Sequence, residues 1–186
     1  MLLFIVIGLG ILGWIVSYRL KSKFRKYAET PLRAGLSGAE AAVQMLRDYG
    51  IYDVSVQCVE GELTDHYNPV NKTVNLSYDV YHGRNAAAVA VAAHECGHAV
   101  QHATAYSMLE FRSMMVPIQN ISATILNIIF LLSLFGGLIY LALPVNMVLT
   151  IIIGCYAVIT LFSLVTLPVE LDASRRALAW VENRGI

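Results

Sequence analysis

The stretch "SMMVPIQNISATILNIIFLLSLFGGLIYLALPVNMVLTIIIGCYAVITLFSLVTLPV", Ser113–Val169, contains no Asp, Glu, Lys or Arg. A bilayer crossing takes about 20 apolar residues, so this run holds two crossings and a turn. Pro144 and Asn146 mark the turn. The expected spans are 118–143 and 145–167. A third apolar run, "MLLFIVIGLGILGWIVSY", opens the chain. It lacks the basic segment and small-residue cleavage site of a secretory signal. It reads as an uncleaved anchor, a transmembrane helix over 1–18, near the lower length limit for spanning.

The composition of the 186 residues agrees. Hydrophobic residues make up 57% and charged residues 14%, against about 25% charged in a typical soluble domain. Mean hydropathy is +0.61. All 13 Lys and Arg lie between the first and second spans or after the third. Arg19, Lys21, Lys23, Arg25 and Lys26 follow the first span directly. The positive-inside rule then places 19–117 and 168–186 in the cytoplasm and the N-terminus outside. The formal net charge is zero, so no nucleic-acid partner is expected. The basic cluster reads instead as an anchor to anionic lipid. Cys58, Cys96 and Cys155 are scattered, which fits reduced thiols facing the cytoplasm.

The segment 19–117 has its own pattern. Ser37 and Glu40 have capping-box spacing, and Ala41, Ala42, Met45, Leu46 and Tyr49 give an apolar stripe that Gly50 should end. "DVSVQCVEG" alternates with period two and predicts a strand. Asn68-Pro69 and Asn71-Lys72 predict turns before a second strand, Thr73–Ser77. A long helix should start at Asn85 and run to Pro117.

That helix carries "VAVAAHECGHAVQH", Val89–His102. Residues four apart share a helical face, so His94 and His98 can bind one zinc ion. Glu95 flanks them where a carboxylate can work on water. A glycine inside a helix costs about 1 kcal/mol, so Gly97 implies close approach by another backbone. Cys96 points to another side and reads as packing. His102 lies eight residues after His94, about 12 Å along the axis, too far for both to hold one ion. The third ligand must come from elsewhere. After the hairpin the chain reads "LPVELDASRRALAWVENRGI". Pro168 suits a helix start, and Glu170, Ala173 and Ala177 share a face. Glu170 offers an oxygen on the right side of the membrane. Asp172 competes from a different face.

H-E-x-x-H followed much later by E-x-x-A resembles the gluzincin arrangement of zinc peptidases. "GAEAAVQML", "GELTDHYNPVNKTVNLS", "AVAAHECGHAVQH", "FRSMMVP" and "PVELDASRRALAWVENRGI" together resemble the YugP-like neutral zinc metallopeptidases, a family of bacterial membrane proteins. The resemblance covers nearly the whole chain. It implies a zinc peptidase with His94, His98 and Glu170 as Zn2+ ligands and Glu95 catalytic. Members of that family tend to continue past this C-terminus into another hydrophobic segment. Ser174 stands where many gluzincins place an Asp that orients a zinc histidine. Gluzincins commonly bind an extended peptide along an edge strand, and Thr73–Ser77 is the natural candidate here. His66, His82, Tyr106 and Arg112 are the candidate oxyanion stabilisers.

The expected architecture is a mainly α integral membrane protein: three transmembrane helices plus a small α+β, zincin-like catalytic domain at the cytoplasmic face of the bacterial cell membrane. The segments are 1–18, 118–143 and 145–167 as spans, 19–117 as the catalytic domain, and 168–186 as a cytoplasmic helix with the third ligand. The expected function is a metalloendopeptidase acting on peptide or protein substrates. An intramembrane zinc protease and a non-catalytic zinc scaffold are the alternatives. Homo-oligomers or membrane partner proteins stay open.

Overall fold

The computed structural model describes residues 2–32, 35–61, 63–135, 137 and 143–186. Its elements are α1 (Leu2–Ala28), α2 (Gly38–Asp48), β1 (Ser55–Val59), β2 (His66–Asn68), β3 (Thr73–Ser77), α3 (Tyr78–His82), α4 (Ala86–Ala103), α5 (Ser107–Leu134) and α6 (Val145–Arg184). The fold is mostly helical with one small three-stranded sheet. Contacts divide it into two compact units. One comprises Met1–Val100 with Ala173–Ile186, and the other Gln101–Asp172.

In the first unit, α2 begins at the expected capping box. The Glu40 amide donates to Ser37 Oγ at 3.2 Å, and the Ser37 amide to Glu40 Oε2 at 2.9 Å. Gly50 ends the helix in the left-handed region, at φ +71°, which costs glycine nothing. Ala41, Ala42, Met45 and Leu46 are buried and form one core with Val74, Leu76, Val89, Ala92, Ala93, Cys96, Ala177 and Trp180. Asp48, at the end of α2, fixes the last turns of α6. It accepts from Trp180 Nε1 at 2.7 Å and from Arg184 Nε at 2.8 Å. The Arg184 and Trp180 hydrogen bonds hold its carboxyl below the ordinary value. Arg84 pairs in the same way with Glu40, through two 2.9 Å contacts.

The strand order is β1-β3-β2, with β1 parallel and β2 antiparallel to β3. Thr73–Ser77 is therefore the central strand, buried at all five residues, and not the expected edge. The edge it was expected to offer is taken by β2. This strand is three residues long and carries too short a pattern to stand out beside Asn68-Pro69. The Asn68 side chain does form the expected turn, accepting from the Val70 and Asn71 amides.

The expected helix from Asn85 to Pro117 is broken. Asn85 caps α4 as expected, accepting from the Ala88 amide at 2.9 Å. The helix then closes at Ala103. The Tyr106 amide bonds to Gln101 O and the Ala105 amide to His102 O, with Ala105 at φ 49°. This is the glycine-type helix stop made by an alanine. The left-handed residue costs roughly 1–2 kcal/mol and leaves no sequence signal.

In the second unit, α5 continues through Pro117, which removes only its own amide from the hydrogen-bond ladder. Within this unit the helices meet around Ile129 and Val148. Pro168 likewise lies inside α6 and does not start a new helix, so 145–167 and 168–184 fall within one helical assignment. Gln101 is fully buried and donates to Val169 O at 2.8 Å and to Asp172 Oδ2 at 2.9 Å.

Among the described residues, α5 and α6 are each long and apolar enough to cross a membrane, with 17% of their most apolar windows buried. The expected first span falls within α1, where Phe4, Leu9, Leu12, Trp14 and Leu20 are exposed. Residues 136 and 138–142 of the expected span 118–143, and Met1, lie outside the described residues.

Candidate metal centre

Helix α4 delivers both histidines to one face. The His94 and His98 rings stand 4.9 Å apart at 83°. Their surroundings depend on Gly97. A Cβ placed there would lie 2.5 Å from Ala173 O, so only glycine lets the backbones of α4 and α6 come this close. Ala173 is fully buried and Ala177 nearly so, as the run of small residues implies. Substituting Gly97 by Ala should therefore destabilise the fold by about 1–3 kcal/mol, as overpacking does. In an open helix the same change would gain about 1 kcal/mol. Thermal unfolding in detergent reads the sign, and an unchanged or raised Tm would refute the close-packing account.

The same approach brings Ser174 Oγ to 3.1 Å from His94 Nδ1. The hydroxyl sits at the expected orienting position and engages this histidine itself. With Nδ1 so occupied, Nε2 is the nitrogen of His94 that suits a metal. Glu170 stands on α6 one turn before Ala173. His94, His98 and Glu170 each offer one ligand atom, and these atoms lie within 4.8 Å of one another. Two imidazoles and one carboxylate are a donor set that zinc takes in catalytic sites, with a fourth position left open. The cluster could hold a metal ion.

Glu95 is not in the cluster. It is 9% exposed, and its Oε2 accepts from the Tyr67 amide of β2 at 3.1 Å. That contact between the edge strand and the motif glutamate had no signal in the sequence, because β2 itself had none. Burial, and then the charge of Asp53, push the Tyr67 hydroxyl up to about 12. Cys96 is fully buried and its Sγ lies 3.6 Å from Ala42 O. Burial, and then Glu95, push its thiol far above the ordinary range, in keeping with a packing role.

His102 is not in the cluster. Nor is Asp172, whose Oδ2 accepts from Gln101 Nε2 at 2.9 Å. Of the four candidate oxyanion stabilisers, Arg112 comes to 3.8 Å from Glu170 Oε1. His66 is held by Thr64 O at 2.7 Å and by Asn75 Nδ2 at 3.2 Å. His82 packs against Tyr78 in a tilted contact and against Tyr81 edge-on. Tyr106 donates its amide to the stop of α4.

Over residues 1–186 the chain matches the family described as "Putative neutral zinc metallopeptidase". It is 40% identical over 181 residues to the "Putative membrane protease YugP" of Bacillus subtilis (strain 168), across 97% of this chain and 76% of that protein. No solved structure matches.

Proposed function

The chain belongs to the neutral zinc metallopeptidase family, and we propose from that premise that it is a membrane-anchored zinc endopeptidase of the gluzincin type. The observation that carries this reading is the approach of His94, His98 and Glu170 to within 4.8 Å of one another, with Glu95 next in sequence to a ligand yet outside the set. In this reading these three residues hold zinc. Zinc, when bound, polarises the scissile carbonyl and lowers the pKa of water to about 7. Glu95 takes a proton from the attacking water and delivers it to the leaving amine nitrogen. The Tyr67 amide holds the Glu95 carboxylate in orientation. Ser174 fixes the ring of His94. Arg112, beside Glu170, is the best placed of the four residues to meet negative charge on the substrate. The purified protein should contain about one zinc per chain, as a catalytic site of three protein ligands requires, and should cleave unfolded protein. Metal-free preparations that cleave as well as loaded ones would refute the reading.

We also infer three spans, 1–18, 118–143 and 145–167. The catalytic domain 19–117 and the helical end 168–186 face the cytoplasm. The support is the exposure of apolar side chains along α1, α5 and α6 and the confinement of all 13 basic residues to two segments. On a background with Cys58, Cys96 and Cys155 replaced by alanine, Lys23→Cys and Asn146→Cys should label from opposite sides with an impermeant thiol reagent. Labelling of Lys23→Cys from outside intact cells would reverse the topology.

A further inference from the structure

The two edges of the sheet differ. β2 is three residues long, and its Tyr67 amide is spent on Glu95. β1, at the other edge, is five residues long and reads SVQCV, Ser55–Val59. The Ser55 amide donates to Lys72 O at 3.1 Å. Successive residues of a strand turn their N–H and C=O to alternate sides, so Ser55, Gln57 and Val59 face β3 while Val56 and Cys58 face outward. Among the described residues no strand pairs with that outward side. Edge strands are commonly protected by Lys, Pro or a bulge, and SVQCV contains no Lys or Pro. Beside the start of β1 lies a pocket of about 220 Å³, lined by Val43, Leu46, Arg47, Ile51, Tyr52 and Val54. Its rim is open, with Tyr52 81% exposed. Among the described residues Arg47 has no acidic partner, and Glu60, just past the far end of β1, has no basic one.

We propose that β1 is an interface with a second copy of this chain: the two β1 strands pair antiparallel about a two-fold axis at Gln57 and join both sheets into one. A two-fold contact needs a self-complementary surface, and this register overlaps the whole strand. Ser55 meets the partner's Val59, and Val56 meets the partner's Cys58. The outward-facing Val56 and Cys58 then form the hydrogen-bonded pairs, and Gln57 meets the partner's Gln57 as a non-bonded pair. One step further, Val54 lies opposite the partner's Glu60. Val54, Val56, Cys58 and Glu60 share a strand face, the face on which Val54 and Val56 pack against the core. The partner's Glu60 therefore arrives at the pocket that Val54 and Arg47 line. The same acid and base meet again on the other side of the axis. This charge match is what favours a second copy over an unrelated extended segment, which has the edge to pair with but no fixed acid at that position. The opposite edge, where β2 meets Glu95, takes no part, so the inference does not depend on the peptidase reading.

Edge pairing buries little beside the roughly 1,200–2,000 Å² of a stable soluble interface, so the test keeps the full chain in its membrane, where the copies share one plane. In isolated membranes, with Cys58, Cys96 and Cys155 replaced by alanine, Gln57→Cys and Ser55→Cys are each oxidised with copper phenanthroline. Both positions are exposed, so random collision treats them alike. The register places the two copies of position 57 about 4.5 Å apart, inside the range of about 4.4–6.8 Å that a disulfide spans. It separates the two copies of position 55 by about 13–14 Å along the strands. Gln57→Cys should therefore give a species of twice the chain's mass, and Ser55→Cys should not. Adding Arg47→Glu, or Glu60→Arg, should lower the Gln57→Cys yield by up to about fivefold, the range of an exposed ion pair. The two together should restore it. Cys58→Pro in place of the alanine removes an outward amide, leaves the bonds to β3 intact, and should abolish the cross-link. Equal yields at positions 55 and 57, a product of any other mass, or no product at all would overturn the inference. Charge variants that leave the yield unchanged would overturn the register and with it the choice of occupant. None of these variants touches His94, Glu95, His98 or Glu170, so a missing cross-link leaves the peptidase reading standing, and a chain without zinc or cleavage that still cross-links would fail that reading alone.

Discussion

Glu95→Gln should keep its zinc and lose at least about 100-fold in kcat, because a placed general base supplies roughly 10²–10⁴-fold. That range corresponds to about 3–5 kcal/mol of barrier. The substitution is suited to the question. Gln has nearly the same shape, and its amide oxygen can still accept from the Tyr67 N–H that now meets Glu95 Oε2 at 3.1 Å. The fold and the histidine face are therefore preserved, while the ability to take a proton is removed. Glu95 lies outside the group of ligand atoms, so metal content should not move. The result also separates the rival readings. A zinc scaffold predicts metal in both proteins and cleavage in neither. Equal cleavage by variant and wild type would remove Glu95 from the mechanism.

Glu170→Gln should weaken zinc binding by about 10–100-fold or more, since losing even a partner one shell out from a metal costs that much. Asp172→Asn is the matched control. Asp172 is two residues away and spends its Oδ2 on Gln101 at 2.9 Å. Its amide replacement keeps an oxygen for that bond, and zinc should stay near the wild-type level. Metal analysis and competition with a chelator measure both variants without reference to turnover. If Asp172→Asn strips the metal and Glu170→Gln keeps it, the third ligand is misassigned and the helix is turned by about half a turn, the angle that two residues subtend.

Much of this was legible in the sequence because it depends on neighbours along the chain. The 3.6-residue period alone puts His94 and His98 on one face. The capping box at Ser37 and Glu40 and the stop at Gly50 are local chemistry, and both stand where expected. The uncharged run Ser113–Val169 follows from composition. Gly97 announced a close approach, and Ala173 is the backbone that makes it. The errors have local causes of the opposite kind. Ala105 adopts a glycine conformation, and Pro117 and Pro168 sit inside helices they were expected to bound. In each case the summed helix bonds and packing on either side outweigh one residue's preference.

The sequence by itself determined the donor chemistry, two imidazoles at helical spacing with a carboxylate between them, and the long apolar stretches. Only the tertiary structure decided which distant groups meet them. It put β3 in the middle of the sheet, turned the amide of Tyr67 onto Glu95, set Ser174 beside His94, and left His94, His98 and Glu170 each offering a potential ligand atom within 4.8 Å of the others. The reason is physical. Spacing along a helix is fixed by its own hydrogen bonds, whereas a meeting of residues some 80 positions apart, such as His94 and Ser174, is fixed by how closely two surfaces can pack, here by a glycine facing an alanine.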